Sequence, residues 1–157
     1  MLCNAKDRRL ILILDNIRSR ENVGSIFRSA DAFGVGKIYL CGITPIPPHD
    51  KISKSALGAD EFVPWEYAKR TVDIVKRLKK NGIKIIALEQ SRKSINLIEL
   101  DQMGDVALVV GNEVEGVGSG ILKLSDRIIE IPMHGKKESL NVSVATGIAL
   151  YAITNKK

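Results

Sequence analysis

The sequence predicts an α/β fold in which a mostly parallel sheet carries helices on both faces. Short runs of Ile, Leu and Val alternate with segments of helical period, a pattern typical of parallel strands joined by helices. The chain has 157 residues, of which 45% are hydrophobic, which is enough for one hydrophobic core and too few for two. We therefore expect a single domain over residues 1–157.

Five apolar runs are the predicted strands of this sheet. Each is short and rich in aliphatic side chains, as buried parallel strands are. The predicted strands are LILIL (10–14), KIYLC (37–41), IKIIAL (83–88), ALVV (107–110) and RIIEI (127–131).

The segment 22–34 follows the first strand and is predicted to be a helix. Its apolar residues recur at steps of three and four, which places them on one helical face: Val23, Ile26, Phe27, Ala30 and Phe33. Arg28 lies off this apolar stripe, so we expect its side chain to point away from the core.

A long loop and a surface helix are predicted next. Residues 41–60 contain Pro45, Pro47 and Pro48, which predict extended backbone without a regular helix, and a loop of this length usually has a function. Segment 66–81 has a helical period and directs its lysines and arginines outward. Those cations fit a solvated helix face better than an RNA platform, the alternative that stays open.

The last segment, 139–153, is apolar on two sides of a predicted helix. Such a helix must be covered on more than one side. The alternation of SLNVSV leaves its first turn open between helix and strand. One stripe contains Leu140, Val144, Gly147, Ile148 and Tyr151, and the other contains Val142, Ala145, Ala149 and Ile153.

The composition excludes several classes of protein. No apolar run is long enough for a bilayer and the start lacks signal-peptide features, so we expect a cytoplasmic protein without a membrane span. Cys3, Cys41, His49 and His134 have no partners at ligand spacing, so neither a disulfide nor a metal site is expected. The formal charge of +6 favours a polyanionic partner, and the 4% of aromatic residues implies contacts to phosphates rather than stacked bases.

Three glycine-containing segments, 18–31, 109–120 and 131–151, each follow an apolar run or overlap its end. In a parallel sheet the loops at the strand ends line the ligand crevice, so together these segments indicate a binding site. For any one of them, a tight turn that needs the positive φ of glycine is the alternative.

The middle segment excludes two common nucleotide sites. Gly111 and Gly116 have the G-x-x-x-x-G spacing of a phosphate-binding loop, but Val117-Gly118 stand where Lys-Ser/Thr is required. Ile121 likewise leaves the dinucleotide fingerprint G-x-G-x-x-G incomplete. Neither a Walker-type NTPase nor a standard Rossmann cofactor site is therefore expected.

The same three segments resemble the motifs of the SpoU/TrmH branch of the SPOUT RNA methyltransferases. Asn22 through Arg28 match its first motif, N-x-G-x-x-x-R. Val110-Gly111-Asn112-Glu113 with Gly116 match the second motif, and residues 131–133 with 139–145 match the third. The three motifs occur in order at the right spacing, and the resemblance covers nearly the whole chain.

The resemblance implies the fold, activity and assembly of that family. We expect a deep trefoil knot in the C-terminal part, a homodimer with the last helix in its interface, and methylation of ribose 2′-oxygens in tRNA or ribosomal RNA with S-adenosylmethionine. The alternatives are a non-catalytic RNA-binding module on the same fold and, more distantly, an unrelated nucleotide-binding domain. Many relatives carry an added N-terminal RNA-binding domain, and because this chain reaches its first strand by about residue 10, we expect none here.

The motifs also imply which residues bind the cofactor and the RNA. The predicted cofactor-binding residues are Leu88, Glu89, Gln90, Gly111, Asn112, Gly116, Ile131, Met133, Ser139 and Leu140. The predicted RNA-binding residues are Asn22, Arg18, Arg20, Lys136 and Lys137, with Arg8 and Arg9 as further candidates. For Asn22 and Ser139, helix capping is the alternative role.

Arg28, Glu113 and Asn141 are the predicted catalytic residues. A guanidinium stays protonated in proteins, so we expect Arg28 to stabilise the developing 2′-alkoxide or to orient an RNA phosphate rather than to act as a base. Its alternative role is phosphate positioning alone. Glu113 is expected either to pair with Arg28 or to hold its loop by accepting backbone N–H bonds, and Asn141 to bind the nucleotide or the cofactor carboxylate.

Overall fold

The computed structural model describes residues 8–156 and has one sheet of seven parallel strands, which confirms the predicted α/β class. The strand order is β3-β2-β1-β6-β4-β7-β5. The strands are β1 (Leu10–Asp15), β2 (Lys37–Cys41), β3 (Trp65–Ala68), β4 (Lys84–Leu88), β5 (Ile95–Asn96), β6 (Val106–Gly111) and β7 (Arg127–Glu130).

Helices cover both faces of this sheet. The helices are α1 (Arg20–Ala32), α2 (Asp50–Ala56), α3 (Ala59–Phe62), α4 (Thr71–Lys80), α5 (Ser119–Leu124) and α6 (Val142–Thr154), with a 3-10 turn at Leu97–Glu99. Buried side chains of α1, α2, α3 and α6 share one core cluster with the sheet, and those of α4 and α5 share the other. We call these the α1 face and the α4 face. None of the helices within residues 8–156 is long and apolar enough to cross a membrane.

Strand β1 shows why the central strands are uniformly apolar. Leu10, Leu12 and Leu14 pack on the α1 face, while Ile11 and Ile13 pack on the α4 face. Successive side chains of a strand point to opposite faces, so a strand covered on both sides needs apolar residues at every position.

The strand register brings the three motif segments to one edge of the sheet. Asp15, the last residue of β1, pairs with Cys41 of β2 on one side and with Gly111 of β6 on the other. Leu88 of β4 pairs with Ile129 of β7 one residue before this level, since Ala87 pairs with Val109. The loops that follow β1, β4, β6 and β7 therefore emerge side by side at the carboxyl edge.

Gly24 permits the close packing of α1 against α2. A Cβ atom at this position would collide with the Ser55 hydroxyl and with the backbone carbonyl of Ile52. Ser55 lies close enough to α1 to donate a hydrogen bond to the backbone carbonyl of Glu21 at 2.9 Å. The glycine of the first motif is thus explained by helix packing.

The prediction of a single helix over 66–81 was wrong in its first part. Residues 65–68 form β3, which pairs with β2 at the edge of the sheet, and the helix begins only at Thr71. Trp65 packs against the core of the α1 face, whereas Glu66 points to the other face and bonds Lys37 at 2.8 Å. This half-exposed strand is too short for its alternation to stand out from the helical pattern beside it.

The prediction that residues 41–60 contain no regular helix was also wrong. The three prolines end at Pro48, and α2 begins two residues later. The Nδ1 atom of His49 accepts a hydrogen bond from the backbone N–H of Lys51 at 3.1 Å, so this histidine caps the helix. Proline restricts its own position and the residue before it, and this restriction does not extend into α2.

Cys41 is buried at the end of β2 and is a free thiol. Burial raises the pKa of the Cys41 thiol to about 12, so the thiol stays protonated at neutral pH and is unreactive. Cys3 lies outside the described residues.

Candidate active site

A cleft of about 460 Å³ opens at the carboxyl edge of the sheet, between the ends of β4, β6 and β7 and the start of α6. The loops that follow these strands form its walls, as expected for a ligand site in a parallel sheet. All ten residues with a predicted cofactor role line it: Leu88, Glu89, Gln90, Gly111, Asn112, Gly116, Ile131, Met133, Ser139 and Leu140.

The loop after β6 is folded tightly against the loop after β4. Gly116 has a φ of 71°, and a Cβ atom there would collide with the carboxylate of Glu89. That carboxylate accepts hydrogen bonds from the backbone N–H of Val117 at 2.8 Å and of Gln90 at 2.9 Å. Glu89 therefore ties the two loops together, and glycine at 116 is required both by its backbone angle and by this contact.

A second bond joins the opposite walls of the cleft. The side-chain amide of Gln90 donates to the backbone carbonyl of Glu138 at 2.8 Å. Glu138 belongs to the segment 131–141 that connects β7 to α6, so the loops after β4, β6 and β7 are held as one unit.

The cleft is acidic although the whole chain carries a formal charge of +6. Its lining residues include four acidic ones, Glu89, Glu113, Glu115 and Glu130, and none of its described lining residues is Lys, Arg or His. A cationic or neutral ligand fits this lining better than a polyphosphate.

Glu113 anchors the loop between β1 and α1. Its carboxylate accepts hydrogen bonds from the backbone N–H groups of Arg18 at 3.0 Å and Ser19 at 3.1 Å, and from the side-chain amide of Asn22 at 3.2 Å. Partial burial raises the pKa of Glu113, but these donors outweigh it and hold the pKa below the ordinary value of 4.5. Two roles were predicted for Glu113, anchoring its loop or pairing with Arg28. The carboxylate anchors the loop, and no ion pair with Arg28 is present among residues 8–156.

Asn22 links Glu113 to the start of α6. Its side-chain oxygen accepts a hydrogen bond from the amide of Asn141 at 3.1 Å, and the oxygen of Asn141 caps α6 by accepting from the N–H of Ser143 at 2.9 Å. Two capping alternatives are thereby corrected. Ser19 rather than Asn22 caps α1, because its hydroxyl accepts the N–H of Asn22 at 3.1 Å, and Asn141 rather than Ser139 caps α6.

Arg28 lies in a separate shallow groove next to the cleft. The groove is bordered by α1, by Ser55 of α2 and by Ser143, Val144, Gly147 and Ile148 of α6. The Arg28 side chain is exposed, as predicted, and makes no hydrogen bond or ion pair within residues 8–156. Glu113 and Asn141 line the cleft, so the three predicted catalytic residues lie in two neighbouring depressions separated by the first turn of α6.

The predicted RNA-binding cations divide into two locations. Arg18 and Arg20 are exposed at the start of α1, and Lys136 and Lys137 are exposed on the segment between β7 and α6, all at the carboxyl edge. Arg8 and Arg9 were further candidates, but they precede β1 and lie at the opposite edge of the sheet, where Arg9 forms an ion pair of 2.9 Å with Asp105. Proximity to a motif in sequence does not place a residue beside it when a whole strand intervenes.

Sequence reasoning missed the support that Asp15 gives to the site. This buried carboxylate at the end of β1 accepts hydrogen bonds from the Thr71 hydroxyl at 2.6 Å and from the backbone N–H of Gly118 at 3.1 Å. It thereby joins α4 to the loop after β6. The signal that was overlooked is a charged residue directly after five aliphatic residues of a buried strand.

His49 caps α2 and His134 is exposed, and within residues 8–156 no three side chains of His, Cys, Asp or Glu are grouped as metal ligands.

Comparison with models of known protein families identifies the family of this chain. The model of the SpoU rRNA Methylase family matches residues 9–151. The chain belongs to the SpoU methylase family. The resemblance drawn from the three motifs is therefore confirmed.

Two curated relatives of this SpoU methylase illustrate the match. Over 147 residues the chain is 37% identical to a tRNA (guanosine(18)-2′-O)-methyltransferase of Aquifex aeolicus, an alignment that covers 93% of this chain and 69% of the relative. Over 157 residues it is 36% identical to the 23S rRNA (guanosine-2′-O-)-methyltransferase RlmB of Neisseria meningitidis, covering 96% of this chain and 60% of the relative. The chain thus spans about 60–69% of the length of these two proteins.

Solved structures have the same fold as this SpoU methylase. The A. aeolicus TrmH/SpoU tRNA modifying enzyme superposes with a TM-score of 0.86 and 35% identity, over 96% of this chain and 76% of that one. An AdoMet-bound rRNA methyltransferase from Sinorhizobium meliloti superposes with a TM-score of 0.87 and 28% identity, over 92% of this chain and 55% of that one.

Proposed function

We propose that this protein transfers a methyl group from S-adenosylmethionine to a ribose 2′-oxygen of structured RNA, either tRNA or ribosomal RNA. The observation that carries the proposal is the acidic cleft at the carboxyl edge, which is lined by the second and third motifs and adjoins the Arg28 groove of the first. Relatives named as tRNA and 23S rRNA 2′-O-methyltransferases support it, and they do not favour a non-catalytic RNA-binding module.

The lining of the cleft fits S-adenosylmethionine. Its volume of about 460 Å³ lies within the usual range for small-molecule sites, and Leu88, Ile131 and Leu140 supply apolar walls. The four acidic lining residues suit a ligand with net positive charge, while the lack of cations among the described lining residues disfavours a polyphosphate cofactor. When bound, the cofactor supplies an electrophilic methyl group on a sulfonium.

We assign the activation of the ribose 2′-oxygen to Arg28. Its guanidinium is permanently charged, so it stabilises negative charge that develops on the oxygen, or orients a phosphate that takes up the proton. Because Arg28 has no partner within residues 8–156, its donors are free for RNA. Glu113 and Asn141 act beside it by fixing the position of α1 relative to α6 through Asn22.

We also propose that the active species is a homodimer assembled through α6. Val144, Ile148 and Tyr151 form a stripe along this helix and are 50%, 40% and 60% exposed, respectively. The opposite side of α6 is buried against the sheet through Ala149, Leu150 and Ile153, so the helix is apolar on both sides, as the sequence predicted. Val144 and Ile148 also border the groove of Arg28, so a second copy on this stripe would complete the walls of that groove.

The implied trefoil knot and the cytoplasmic location are part of the same proposal. The knot rests on the family resemblance, and the strand order is compatible with it: β6 lies between β1 and β4, β7 lies beyond β4, and α6 packs on α1. A substrate of the tRNA or ribosomal class supports a site of action in the cytoplasm.

The decisive experiment supplies purified protein with labelled S-adenosylmethionine and total RNA from cells that lack it, followed by mapping of 2′-O-methyl nucleotides. We expect label at one or a few riboses, and none when the target nucleotide is replaced by its 2′-deoxy form in a transcript. Label on a base, or binding of the cofactor without any transfer to RNA, would contradict the proposal.

A further inference from the structure

The positive charge of the protein is concentrated on α4 and its flanks. Residues 69–84 contain seven lysines and arginines and one acid, Asp73, so this segment alone has a formal charge of +6, the value of the whole chain. The remaining residues of the chain therefore balance to a net charge of zero. A polyanion that is attracted to the protein as a whole is attracted above all to this segment.

Two cations of α4 are already bound by the fold, one on each side of the helix. Arg77 donates to a tyrosine hydroxyl of β2 at 3.2 Å, and Lys79 donates to a backbone carbonyl of α5 at 2.6 Å. Lys76 and Lys80 are exposed and lie between these two on the helix circumference, one turn apart. Neither makes a hydrogen bond or an ion pair with its side chain in the described part of the chain.

The acids of α4, of β3 before it and of the turn between α5 and β7 are paired with other cations. Lys123 of α5 is also exposed and has no side-chain partner within residues 8–156. It directly precedes Leu124, whose carbonyl binds Lys79, and so lies next to α4. We call Lys76, Lys80 and Lys123 the basic α4 surface. The acidic pairs are Asp73 with Arg70 at 3.9 Å, Asp126 with Lys79 at 3.4 Å, and Glu66 with Lys37 at 2.8 Å.

The basic α4 surface and the Arg28 groove lie on opposite faces of the sheet. They meet only at the carboxyl edge, where α4 begins and the Thr71 hydroxyl donates to Asp15 at 2.6 Å. From there the ten residues of α4 extend about 15 Å toward the opposite edge. An RNA that has a ribose at Arg28 and also contacts this surface must therefore cover two sides of the protein, which favours a folded RNA over a short single strand.

We infer that the basic α4 surface binds the phosphate backbone of the substrate RNA at a distance from the modified ribose. This inference rests on the proposed function, since it assumes that RNA is the substrate. Lysine binds phosphate as a point charge and reads no base in doing so, so the surface adds affinity without selecting the nucleotide. The sequence pattern alone favoured a solvated helix face, and the structure adds that these three lysines are left free while their neighbours are paired.

The test measures how the purified protein binds labelled bulk tRNA and deproteinised ribosomal RNA, both from cells that lack it, over a series of salt concentrations. One variant combines Lys76→Gln with Lys80→Gln, and a second adds Lys123→Gln. The matched control combines Lys54→Gln with Lys93→Gln. These two lysines are also exposed and lie outside α4 and α5, and the control changes the net charge by the same amount as the double variant.

We expect the double variant to bind RNA more weakly than the wild type, by about two- to five-fold for each lysine, the range of an exposed ion pair. The slope of log affinity against log salt should become shallower by about 0.7–0.9 for each phosphate contact that is lost. The triple variant should extend both effects, and the control should stay within about two-fold of the wild-type affinity. Affinity for S-adenosylmethionine and the single-turnover rate at saturating RNA should be unchanged, because the surface is remote from the cleft and the groove.

Asp73→Asn tests the same surface in the opposite direction. It removes the one acid of residues 69–84, whose ion pair with Arg70 is exposed, so it should strengthen RNA binding with little effect on the fold. If the lysine variants lose their affinity for S-adenosylmethionine because they are misfolded, Asp73→Asn decides the question. RNA binding that is unchanged or weaker in this variant would then overturn the inference.

Different outcomes separate the inference from the function beneath it. Wild-type RNA affinity in the double and triple variants, or an equal loss in the control, would overturn the inference, and the surface would be a solvated helix face. Methyl transfer would continue in that case, so the proposed function would stand. Failure of the wild type to transfer a methyl group to either RNA would overturn the proposed function instead.

Discussion

Glu113 holds the loop between β1 and α1 through a charge that the fold stabilises. The N–H groups of Arg18 and Ser19 and the amide of Asn22 keep the pKa of Glu113 below 4.5 despite the opposing effect of partial burial. A carboxyl whose pKa is lower in the folded state stabilises that state above its unfolded pKa and loses the contribution as the pH falls through the folded value.

Replacing Glu113 by Gln should therefore reduce stability in a pH-dependent way. At about pH 7 we expect the variant to unfold at a lower temperature than the wild type, because an amide is a weaker acceptor for these N–H groups. As the pH falls from about 4.5 through the lower folded pKa the difference should shrink, because the unfolded carboxyl takes up its proton first and the folded carboxyl loses its charge only at lower pH. Thermal unfolding at several pH values checks this, and a difference that stays constant or grows in acid would contradict it.

Arg28 differs from Glu113, because its charge takes part in no hydrogen bond or ion pair within residues 8–156. The side chain is exposed, lies off the buried stripe of α1 and is free of partners within residues 8–156. Removing it opens no cavity and breaks no internal bond, so a loss of activity cannot be ascribed to the fold.

Arg28→Ala should abolish methyl transfer while leaving the unfolding temperature and cofactor affinity near wild type. Deleting one preorganised donor to a developing oxyanion costs about 2.7–4 kcal/mol, or about 100- to 1000-fold in rate. Arg28→Lys should also be severely impaired, because lysine keeps the charge without the planar fork. The measurement is the single-turnover rate at saturating RNA.

Arg20→Ala is the matched control for this experiment. Arg20 is an exposed arginine on the same helix and a candidate RNA contact. We expect the Arg20→Ala variant to bind RNA more weakly and with a smaller dependence of affinity on salt. Its single-turnover rate at saturating RNA should equal that of the wild type. If Arg28→Ala behaves in the same way, Arg28 is a phosphate contact and the assignment to the 2′-oxygen fails.

At the scale of elements, the start of α6 depends on Asn141. Its side-chain oxygen accepts the N–H groups of Ser143 and Val144, at 2.9 and 3.4 Å, and its amide nitrogen donates to Asn22 at 3.1 Å. The two atoms of this amide thus have separate roles. The oxygen caps α6, and the nitrogen bonds α6 to α1 through Asn22.

Two substitutions separate these functions. Asn141→Ala removes the cap and should lower the free energy of unfolding by about 1 kcal/mol. Asn141→Asp keeps a capping oxygen and should remain near wild-type stability, but it places a carboxylate against the Asn22 oxygen and should reduce methyl transfer. Urea unfolding and single-turnover assays check the pair. Wild-type stability in the alanine variant would mean that the cap contributes nothing.

The elements predicted correctly are those whose environment is uniform. β1 and β6 are buried on both faces, so their residues are apolar without interruption and their runs are visible in the sequence. β3 is an edge strand with one exposed side, and α2 begins with a histidine cap, a signal that also fits a loop. These two elements are determined by neighbours that are distant in sequence, which a local pattern does not report.

The same distinction applies to the site. The motifs predicted which residues meet in the cleft, because strand ends of a parallel sheet are adjacent wherever they fall in sequence. They did not predict that the first turn of α6 would stand between Arg28 and Glu113, nor that Asp15 would support the loop after β6. Both features arise from packing between layers, for which the sequence has no periodic signal.

At the scale of the whole molecule, cations and carboxylates both lie at the carboxyl edge of the sheet. Arg18, Arg20, Lys136 and Lys137 are exposed at this edge, while the charged residues that line the cleft are all acidic. On the proposed function, we expect an RNA phosphate to be attracted to these cations and repelled from the cleft, which would keep the RNA backbone away from the cofactor.

The exposed stripe of α6 leads to a prediction about assembly. Val144, Ile148 and Tyr151 lie one helical turn apart on one face, and Tyr151 packs edge-on against Phe33 of the adjoining segment, with ring centroids 6.2 Å apart. A stripe of this kind beside a functional groove is typical of a self-complementary interface around a two-fold axis. A charge placed at its centre would be buried without a partner in each copy, which makes association unfavourable.

Ile148→Glu should therefore convert a dimer into a folded monomer. Ile148 is partly exposed in the single chain, so the substitution should leave the circular dichroism spectrum intact, and Ile98→Glu, at a more exposed isoleucine outside the stripe, is the matched control. Sedimentation equilibrium at micromolar concentration should give a dimer for the wild type and the control, and a monomer for Ile148→Glu. Because the stripe borders the Arg28 groove, the monomer should also lose methyl transfer even at saturating RNA. A monomeric wild type, or an Ile148→Glu variant that is still a dimer, would show that the exposed stripe of α6 is not the dimer interface.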